Sequence, residues 1–399
     1  MVKSEDKADV VIKILWGILI ATILVFGYLL NPAVPNSKKY IAEYKDKYYY
    51  QKLDANMQEN YGDIYTAVID RSDRDDIVSI SGENPITGLG MDIPLSHSVR
   101  SDEDMLRLFT AFTYDNPQFF FVNPHYGMRG RELFDTVYYR EITLLFDYDT
   151  AKRAEIMTEI EKNTADILQK AAAQPDMFER ELLLHEWLVN RCTYQDDKSK
   201  YETVRSLSTI QGALTDGDVI CGGYTAGMQY LLQKSGIPCA SIQGKSLDAQ
   251  DASHIWNMVT IDGEQYYLDV TWNDSGNHGR HNHFNITTEE LLKTHEIFDT
   301  FPIETLTATA ANYYCRRGLF VDPYSPDTVI SKVTLQLQNG EDTLEFRCTR
   351  EGYTAAHQLV KNGTAFRKAV GAKASGKTLW RYSIVYDDKL HTIALIKKK

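Results

Sequence analysis

Apolar residues are spread unevenly along the chain. From Ile14 to Leu30 no residue is charged and Leu, Ile and Val dominate, with Val10, Val11, Ile12 and Lys13 just ahead. At a helical rise of about 1.5 Å per residue, such a stretch is just long enough for the hydrocarbon core of a bilayer. Lys13 is placed to snorkel, and Trp16 and Tyr28 to anchor at the two interfaces. The pattern predicts a transmembrane signal anchor over 10–30, with residues 1–9 as a cytoplasmic tail. A cleaved signal peptide competes with it, but Asn31-Pro32-Ala33-Val34-Pro35 offers no small-x-small cleavage site. A short tail before a first apolar segment usually leaves the rest of the chain outside the cytoplasm, so the body is expected there, at the cell membrane. Residues 31–60 then turn polar, with Tyr40, Tyr44, Tyr48, Tyr49 and Tyr50 among lysines, and read as a juxtamembrane stalk.

Beyond the stalk the pattern alternates between strand and helix periods. Ile77–Ile80, Phe119–Val122 and Thr136–Phe146 read as strands, and Asp102–Thr113 as an amphipathic helix. Two long helices, Thr150–Gln174 and Asp176–Arg191, are divided by Pro175, where a helix has to break. After about residue 305 the pattern predicts strands at Val333–Gln338, Thr343–Cys348, Leu379–Tyr386 and His391–Ile396, with a turn at Asn339-Gly340. A helical stretch carries Ala355, Leu359 and Phe366. The fold class is α+β: an upstream domain over 61–149, a central core over 150–304 and a small C-terminal α+β domain over 305–399.

Charge narrows the partners. The chain holds 43 Lys and Arg against 55 Asp and Glu, a net charge of −12, which excludes a general nucleic-acid binder. Residues 301–399 are mildly basic, so the acidity resides in the body. Oligomeric state is not encoded in these patterns.

The chemistry is concentrated between Gly217 and Asn273. Cys221-Gly-Gly-Tyr224 opens a helical period through Ala226, Met228, Tyr230, Leu231 and Leu232, which Gly236 and Pro238 end. Cys221 therefore starts a helix, where free N–H groups and the macrodipole favour an anion, here the nucleophilic thiolate. Gly222 and Gly223 are expected to leave room for a substrate carbonyl. Downstream, His254-Ile-Trp256-Asn257 leads a strand to Ile261, Asp262-Gly263 is a two-residue hairpin signal, and Glu264–Trp272 is expected to return as the partner strand. In a two-residue hairpin Ile261 faces Glu264, which sets His254 opposite Thr271 and puts Asp269 on the same face, a diagonal an imidazole and a carboxylate can bridge. The spacing selects a Cys221–His254–Asp269 triad.

These motifs resemble the transglutaminase-like core, of papain-like fold, found in bacterial membrane-anchored or secreted proteins. Cys221-Gly-Gly-Tyr224, His254-x-Trp256-Asn257 and Asp269-x-Thr271-Trp272 carry the likeness, and Asn282-His283-Phe284-Asn285 and His295 resemble the segment that follows the core. Asp115-Asn116-Pro117-Gln118-Phe119 upstream and Tyr313-Tyr314 downstream add a weaker likeness. The chain departs from the pattern at Gln211, where an aromatic is frequent, and at Ile255, where alanine is common. The amide of Gln211 is a candidate oxyanion donor beside the Cys221 N–H. Gly222, Trp256 and Trp272 are candidate cleft residues.

The resemblance implies a membrane-anchored cysteine enzyme that forms a thioester on a peptide or amide carbonyl of a polypeptide or peptide-like substrate. Water as acceptor makes it a peptidase or amidase, the favoured reading. A lysine amine makes it a cross-linking transglutaminase, and an inert site makes it an envelope binding or scaffold module. No metal or organic cofactor is required: His278, His281 and His283 cluster in a loop without a cysteine or carboxylate at metal-ligand spacing. His185 reads as a core histidine. Cys192, Cys239, Cys315 and Cys348 are expected to remain thiols.

Overall fold

The computed structural model describes residues 15–19, 35–82, 85–133, 136–247, 253–276, 279–298, 300–375 and 377–398. Among these no helix is long and apolar enough to cross a membrane. The span expected at 10–30 lies outside the described residues apart from 15–19, which are helical, with Leu15, Trp16, Ile18 and Leu19 exposed.

The chain divides into two compact units, Met1–Asp46 with Leu53–Phe112 and Phe121–Thr150, and Lys47–Lys52 with Thr113–Phe120 and Ala151–Lys399. The first unit holds helix α1 (Ala55–Asp70), strands β1 (Ile77–Ile80) and β2 (Ile86–Val99), the larger part of helix α2 (Asp102–Asp115), and strands β3 (Val122–Leu133) and β4 (Thr136–Phe146). Asp54 caps α1 by accepting the Met57 N–H at 3.0 Å. The sheet runs β1-β2-β4-β3, antiparallel throughout. Helix α1 packs on β2, and its buried Asn60 exchanges two hydrogen bonds with the backbone of His97. The strand expected at Phe119–Val122 begins only at Val122, because Asn116-Pro117 starts a single 3-10 turn over Pro117–Phe119.

The expected stalk is instead folded into the body. It forms two single-turn helices, Ile41–Tyr44 and Tyr48–Gln51. Tyr44 is 1% exposed and packs on Tyr61 and Tyr65. Tyr49, in the second unit, packs on Tyr114 and Phe301 and donates to the Ser241 carbonyl. The tyrosines are apolar bodies with a polar tip, so a segment that looks solvated by its lysines still buries large area.

The second unit opens with helices α3 (Thr150–Ala172) and α4 (Met177–Arg191), the latter capped by Asp176, which accepts the Glu179 N–H at 2.9 Å. Short parallel strands β5 (Thr193–Tyr194) and β6 (Asp218–Val219) lead into helix α5 (Cys221–Lys234). An antiparallel sheet of order β10-β7-β8-β9 follows, built from β7 (Cys239–Ser246), β8 (Ser253–Ile261), β9 (Glu264–Leu268) and β10 (His295–Ile297). Helix α6 (Val270–Asp274) continues directly from β9. The segments expected as a core and a C-terminal domain fall in this one unit. Its last part is a sheet of order β11-β12-β14-β13, from β11 (Phe320–Val321), β12 (Thr343–Cys348), β13 (Tyr382–Asp387) and β14 (Thr392–Lys397), covered by helices α7 (Pro326–Asn339), α8 (Arg350–Lys361) and α9 (Gly363–Lys373).

The expected strand at Val333–Gln338 is the C-terminal half of α7. The six-residue window Val-Thr-Leu-Gln-Leu-Gln alternates, but over 14 residues Val329, Val333 and Leu337 form a helical stripe that is buried against Leu344, Phe346 and Leu395. Ser325 caps the start, Pro326 suits the first helical position, and Gly340, with φ of 83°, ends the helix in the left-handed region.

Candidate active site

Cys221 is the first residue of α5. Its predecessor Ile220 is extended, and the Ile220 carbonyl accepts the N–H groups of Gly223 at 2.9 Å and Tyr224 at 3.2 Å. The N–H groups of Cys221 and Gly222 have no carbonyl within the helix to bind. The two glycines do not leave space for substrate. A Cβ on Gly223 would lie 2.4 Å from the Leu207 carbonyl oxygen, and one on Gly222 3.1 Å from the Ser208 side chain. Both glycines seat the start of α5 against the turn Arg205–Ser208, which also accepts the Ile220 N–H on Leu207 at 3.0 Å.

Helix α5 is fastened across β8 by Thr225, whose Oγ1 donates to the Ile255 carbonyl at 2.9 Å and whose carbonyl accepts the Asn257 amide at 3.1 Å. This sets His254, at the start of β8 and 7% exposed, beside Cys221. His254 Nε2 donates to Asp269 Oδ2 at 2.7 Å, leaving Nδ1 for the sulfur of Cys221. Burial lowers the pKa of His254, but the Asp269 carboxylate and then Cys221 outweigh it and push the imidazole up to about 10. Burial raises the pKa of Asp269, and the two imidazoles of His254 and His295 reverse this, holding the carboxyl well below the usual range.

The hairpin has the expected register, Ile261 opposite Glu264 through Asn257 opposite Leu268. Asp262 and Gly263 have φ of 52° and 88°, as its two-residue turn requires. The partner strand nevertheless stops at Leu268, not Trp272. Asp269 Oδ1 accepts the Trp272 N–H at 3.1 Å and so caps α6, turning Thr271 and Trp272 into a helix. The backbone N–H of Asp269 donates to the His283 carbonyl at 2.9 Å, so the carboxylate is fixed from both ends.

A cleft of about 1530 Å³ opens over Cys221, His254, Tyr194 and Trp272, with Leu335 and Lys397 from the C-terminal α+β part on its other wall. Gln211, Gly222 and Trp256 are not among its lining residues. Gln211 precedes a π-helical turn over Gly212–Asp216, and its Oε1 is buried with no hydrogen-bond partner among the described residues. Trp256 is 0% exposed and lies 5.8 Å from the His254 ring at an interplanar angle of 29°, a core support rather than a cleft wall.

Two tyrosines that periodicity did not single out stand near the cysteine. Burial, then the charge of Cys221, raises the Tyr114 phenol to about 12. Tyr194 is raised by burial, by its bond with Tyr201 and by Cys221. Both phenols are thereby held in the protonated form. Neither carries a motif, and each reaches the site through tertiary packing alone.

A second buried polar cluster borders the same cleft. His281 Nε2 meets Glu186 Oε1 at 2.7 Å, its Nδ1 meets Glu345, and its ring stacks on Tyr313 at 3.6 Å and 7°. Burial opposes the charge on His281, but Glu345 and then Glu186 outweigh it and push the imidazole up to about 9. His185 is a core histidine, as expected: its Nε2 accepts from Asn273 Nδ2 at 3.1 Å, so the proton sits on Nδ1. Ligand atoms of His185, Glu186 and His281, and of His254, Asp269 and His295, lie within 4.8 Å of one another. In both groups imidazole N–H donors facing carboxylates account for that spacing. Of the loop histidines, His278 lies outside the described residues, while His281 and His283 take different partners.

Residues 165–270 match the transglutaminase-like superfamily. No curated protein matches the chain. Among solved structures, a TGase is 14% identical, with 47% of this chain and 53% of that one covered at a TM-score of 0.26. A candidate cysteine protease from Cytophaga hutchinsonii is 15% identical, over 38% of this chain and 63% of that one, at a TM-score of 0.23. A candidate protease from Parabacteroides distasonis is 12% identical, over 48% and 35%, at a TM-score of 0.22. The chain thus spans about half of the first of these structures.

Proposed function

From the premise of a transglutaminase-like domain at residues 165–270, we propose that this protein is a cysteine acyl-transfer enzyme acting on peptide or amide carbonyls. The observation that carries the reading is His254, bonded to the buried carboxylate of Asp269 and set against the sulfur of Cys221 at a helix start. His254 Nδ1 takes the proton of Cys221, and the thiolate attacks the carbonyl carbon, forming the C–S bond. The oxyanion accepts the Cys221 N–H. Collapse breaks the C–N bond, the leaving amine takes the proton from His254, and a thioester remains. His254 then deprotonates the acceptor that releases the acyl group.

Water is the proposed acceptor, which makes the enzyme a peptidase or amidase. The cleft carries side chains of both signs, including Asp196, Asp274, Arg280 and Arg317, so its charge does not mark a site for a lysine amine. The test is the intact mass of the full chain during incubation with a glutamine-containing peptide and cadaverine. A hydroxylamine-labile adduct on Cys221 with a carboxylic acid product is the expected result. A cadaverine conjugate would make it a transglutaminase instead. Absence of both, with peptide binding unaffected by Cys221→Ala, would reduce it to a binding module.

We also propose that residues 10–30 anchor the chain at the cell membrane with this domain outside the cytoplasm. The full chain is then expected to stay in the membrane fraction through alkaline carbonate extraction. Release into the soluble fraction would contradict it.

A further inference from the structure

The oxygen of Asp269 that accepts from His254 also accepts from a second imidazole. His295 Nε2 lies 3.1 Å from Asp269 Oδ2, and His295 is fully buried. The sheet brings this about. Strand β7 runs between β8 and β10, with Gly244 opposite His254 and Ser246 opposite His295. A Cβ on Gly244 would lie 2.6 Å from the ring of Trp256, so only glycine leaves room for that indole. The indole in turn packs 4.9 Å from the His295 ring, and Trp272 packs 4.6 Å from it.

The polar partners of His295 lie on both sides of its ring. A carboxylate only accepts, so His295 Nε2 carries the proton towards Asp269. Its Nδ1 lies 2.7 Å from Thr294 Oγ1, and His283 Nε2 lies 3.3 Å from the same hydroxyl. Thr294 Oγ1 is also 3.2 Å from the Leu291 carbonyl, but the imidazole is the shorter contact. His295 Nε2 thus donates to Asp269, while its Nδ1 and His283 Nε2 converge on the one hydroxyl of Thr294, which itself reaches the Leu291 carbonyl. With Trp272 N–H on Oδ1 and two imidazoles on Oδ2, the carboxylate has no freedom to turn.

We propose that His295 is a positioning residue, which holds the Asp269 carboxylate in the orientation that serves His254. It touches neither Cys221 nor a reacting atom, and its action passes through Asp269. The proposal rests on the acyl-transfer reading of the site.

The test is the pH profile of Cys221 alkylation by iodoacetamide in the full chain, followed by mass at that cysteine. Wild type is compared with His295→Gln, which keeps an N–H donor, with His295→Met, which lacks one, and with Thr294→Val. In His295→Met the profile is expected to move about one pH unit to the alkaline side, a tenfold loss at a fixed acidic pH. His295→Gln restores most of it, and Thr294→Val moves it the same way by less. A profile in His295→Met that superimposes on wild type overturns the proposal. If that variant does not fold, an unmoved profile in Thr294→Val overturns it. A wild-type profile indifferent to His254→Ala is a different failure, that of the acyl-transfer reading itself.

Discussion

Asp269→Asn is expected to cut turnover on the order of 10⁴-fold while the protein stays folded, the scale seen when the equivalent carboxylate of a triad becomes an amide. The reason lies in which groups the carboxylate faces. Asp269 Oδ1 accepts a backbone N–H and Oδ2 accepts from two imidazoles, so all three partners are donors. An asparagine that keeps its oxygen on Trp272 N–H turns its own N–H₂ towards His254 Nε2. His254 must then present a lone pair at Nε2 and carry its proton on Nδ1, the nitrogen that has to accept from Cys221. The cap of α6 survives this arrangement, so far-ultraviolet circular dichroism is expected to change little; the amide N–H₂ also faces the buried His295 donor, so the melting curve moves to lower temperature while peptide turnover collapses. Turnover within tenfold of wild type would mean that Asp269 is a structural cap and no more.

His281→Leu is expected to destabilise the second unit by about 3–5 kcal/mol, the cost of leaving a buried ionic group without its partner. His281 is nearly buried and stands between Glu186 and Glu345, so its removal leaves two carboxylates facing one space, and the Glu345 side chain is only 1% exposed. Arg280 relieves Glu186 through a 2.7 Å bond, and Tyr314 donates to Glu345 at 2.9 Å, which places the loss within that range rather than above it. The pH dependence follows from the same geometry. The folded pKa of His281 is raised from 6.5 to about 9, so its contribution is complete below pH 6.5 and is lost as pH rises through about 9. The gap in urea midpoint between wild type and His281→Leu is therefore expected to be wide at pH 7 and narrow at pH 10. An equal gap at both would show that the charge on His281 contributes nothing.

His281 also belongs to the segment that serves the site. The neighbouring His283 accepts the Asp269 N–H and donates its own to Asn273 Oδ1, and Asn273 holds His185. These contacts join residues up to 88 positions apart, as with Asn273 and His185. That distance explains what the sequence could and could not reveal. The nearness of Cys221, His254 and Asp269 was legible because a two-residue hairpin brings His254's strand back beside the segment that carries Asp269 and a helix start places Cys221; both are local rules. The end of β9 at Leu268 was not, because Asp269 has one side chain and two possible uses for it, ladder position or helix cap. His295 was noticed only as part of a resemblance, and its bond to Asp269 depends on the order in which β10 joins β7. Glu186, His281 and Glu345 come from a helix, a loop and a strand that no spacing rule connects. The buried tyrosines at 44 and 49 and the helix at Pro326–Asn339 show the same limit in milder form, where a short polar or alternating window is overruled by packing.

The central claim is that Cys221 is a nucleophile armed by His254 and Asp269. Its most direct test is the rate of Cys221 alkylation by iodoacetamide at pH 6 in the full chain, beside His254→Ala and Asp269→Asn. A free cysteine, with a pKa of about 8.5, is almost wholly thiol at that pH. Rapid alkylation of wild type, lost in His254→Ala and strongly reduced in Asp269→Asn, is the result this geometry predicts. A wild-type thiol as slow as free cysteine at pH 6, and unchanged in both variants, would contradict it.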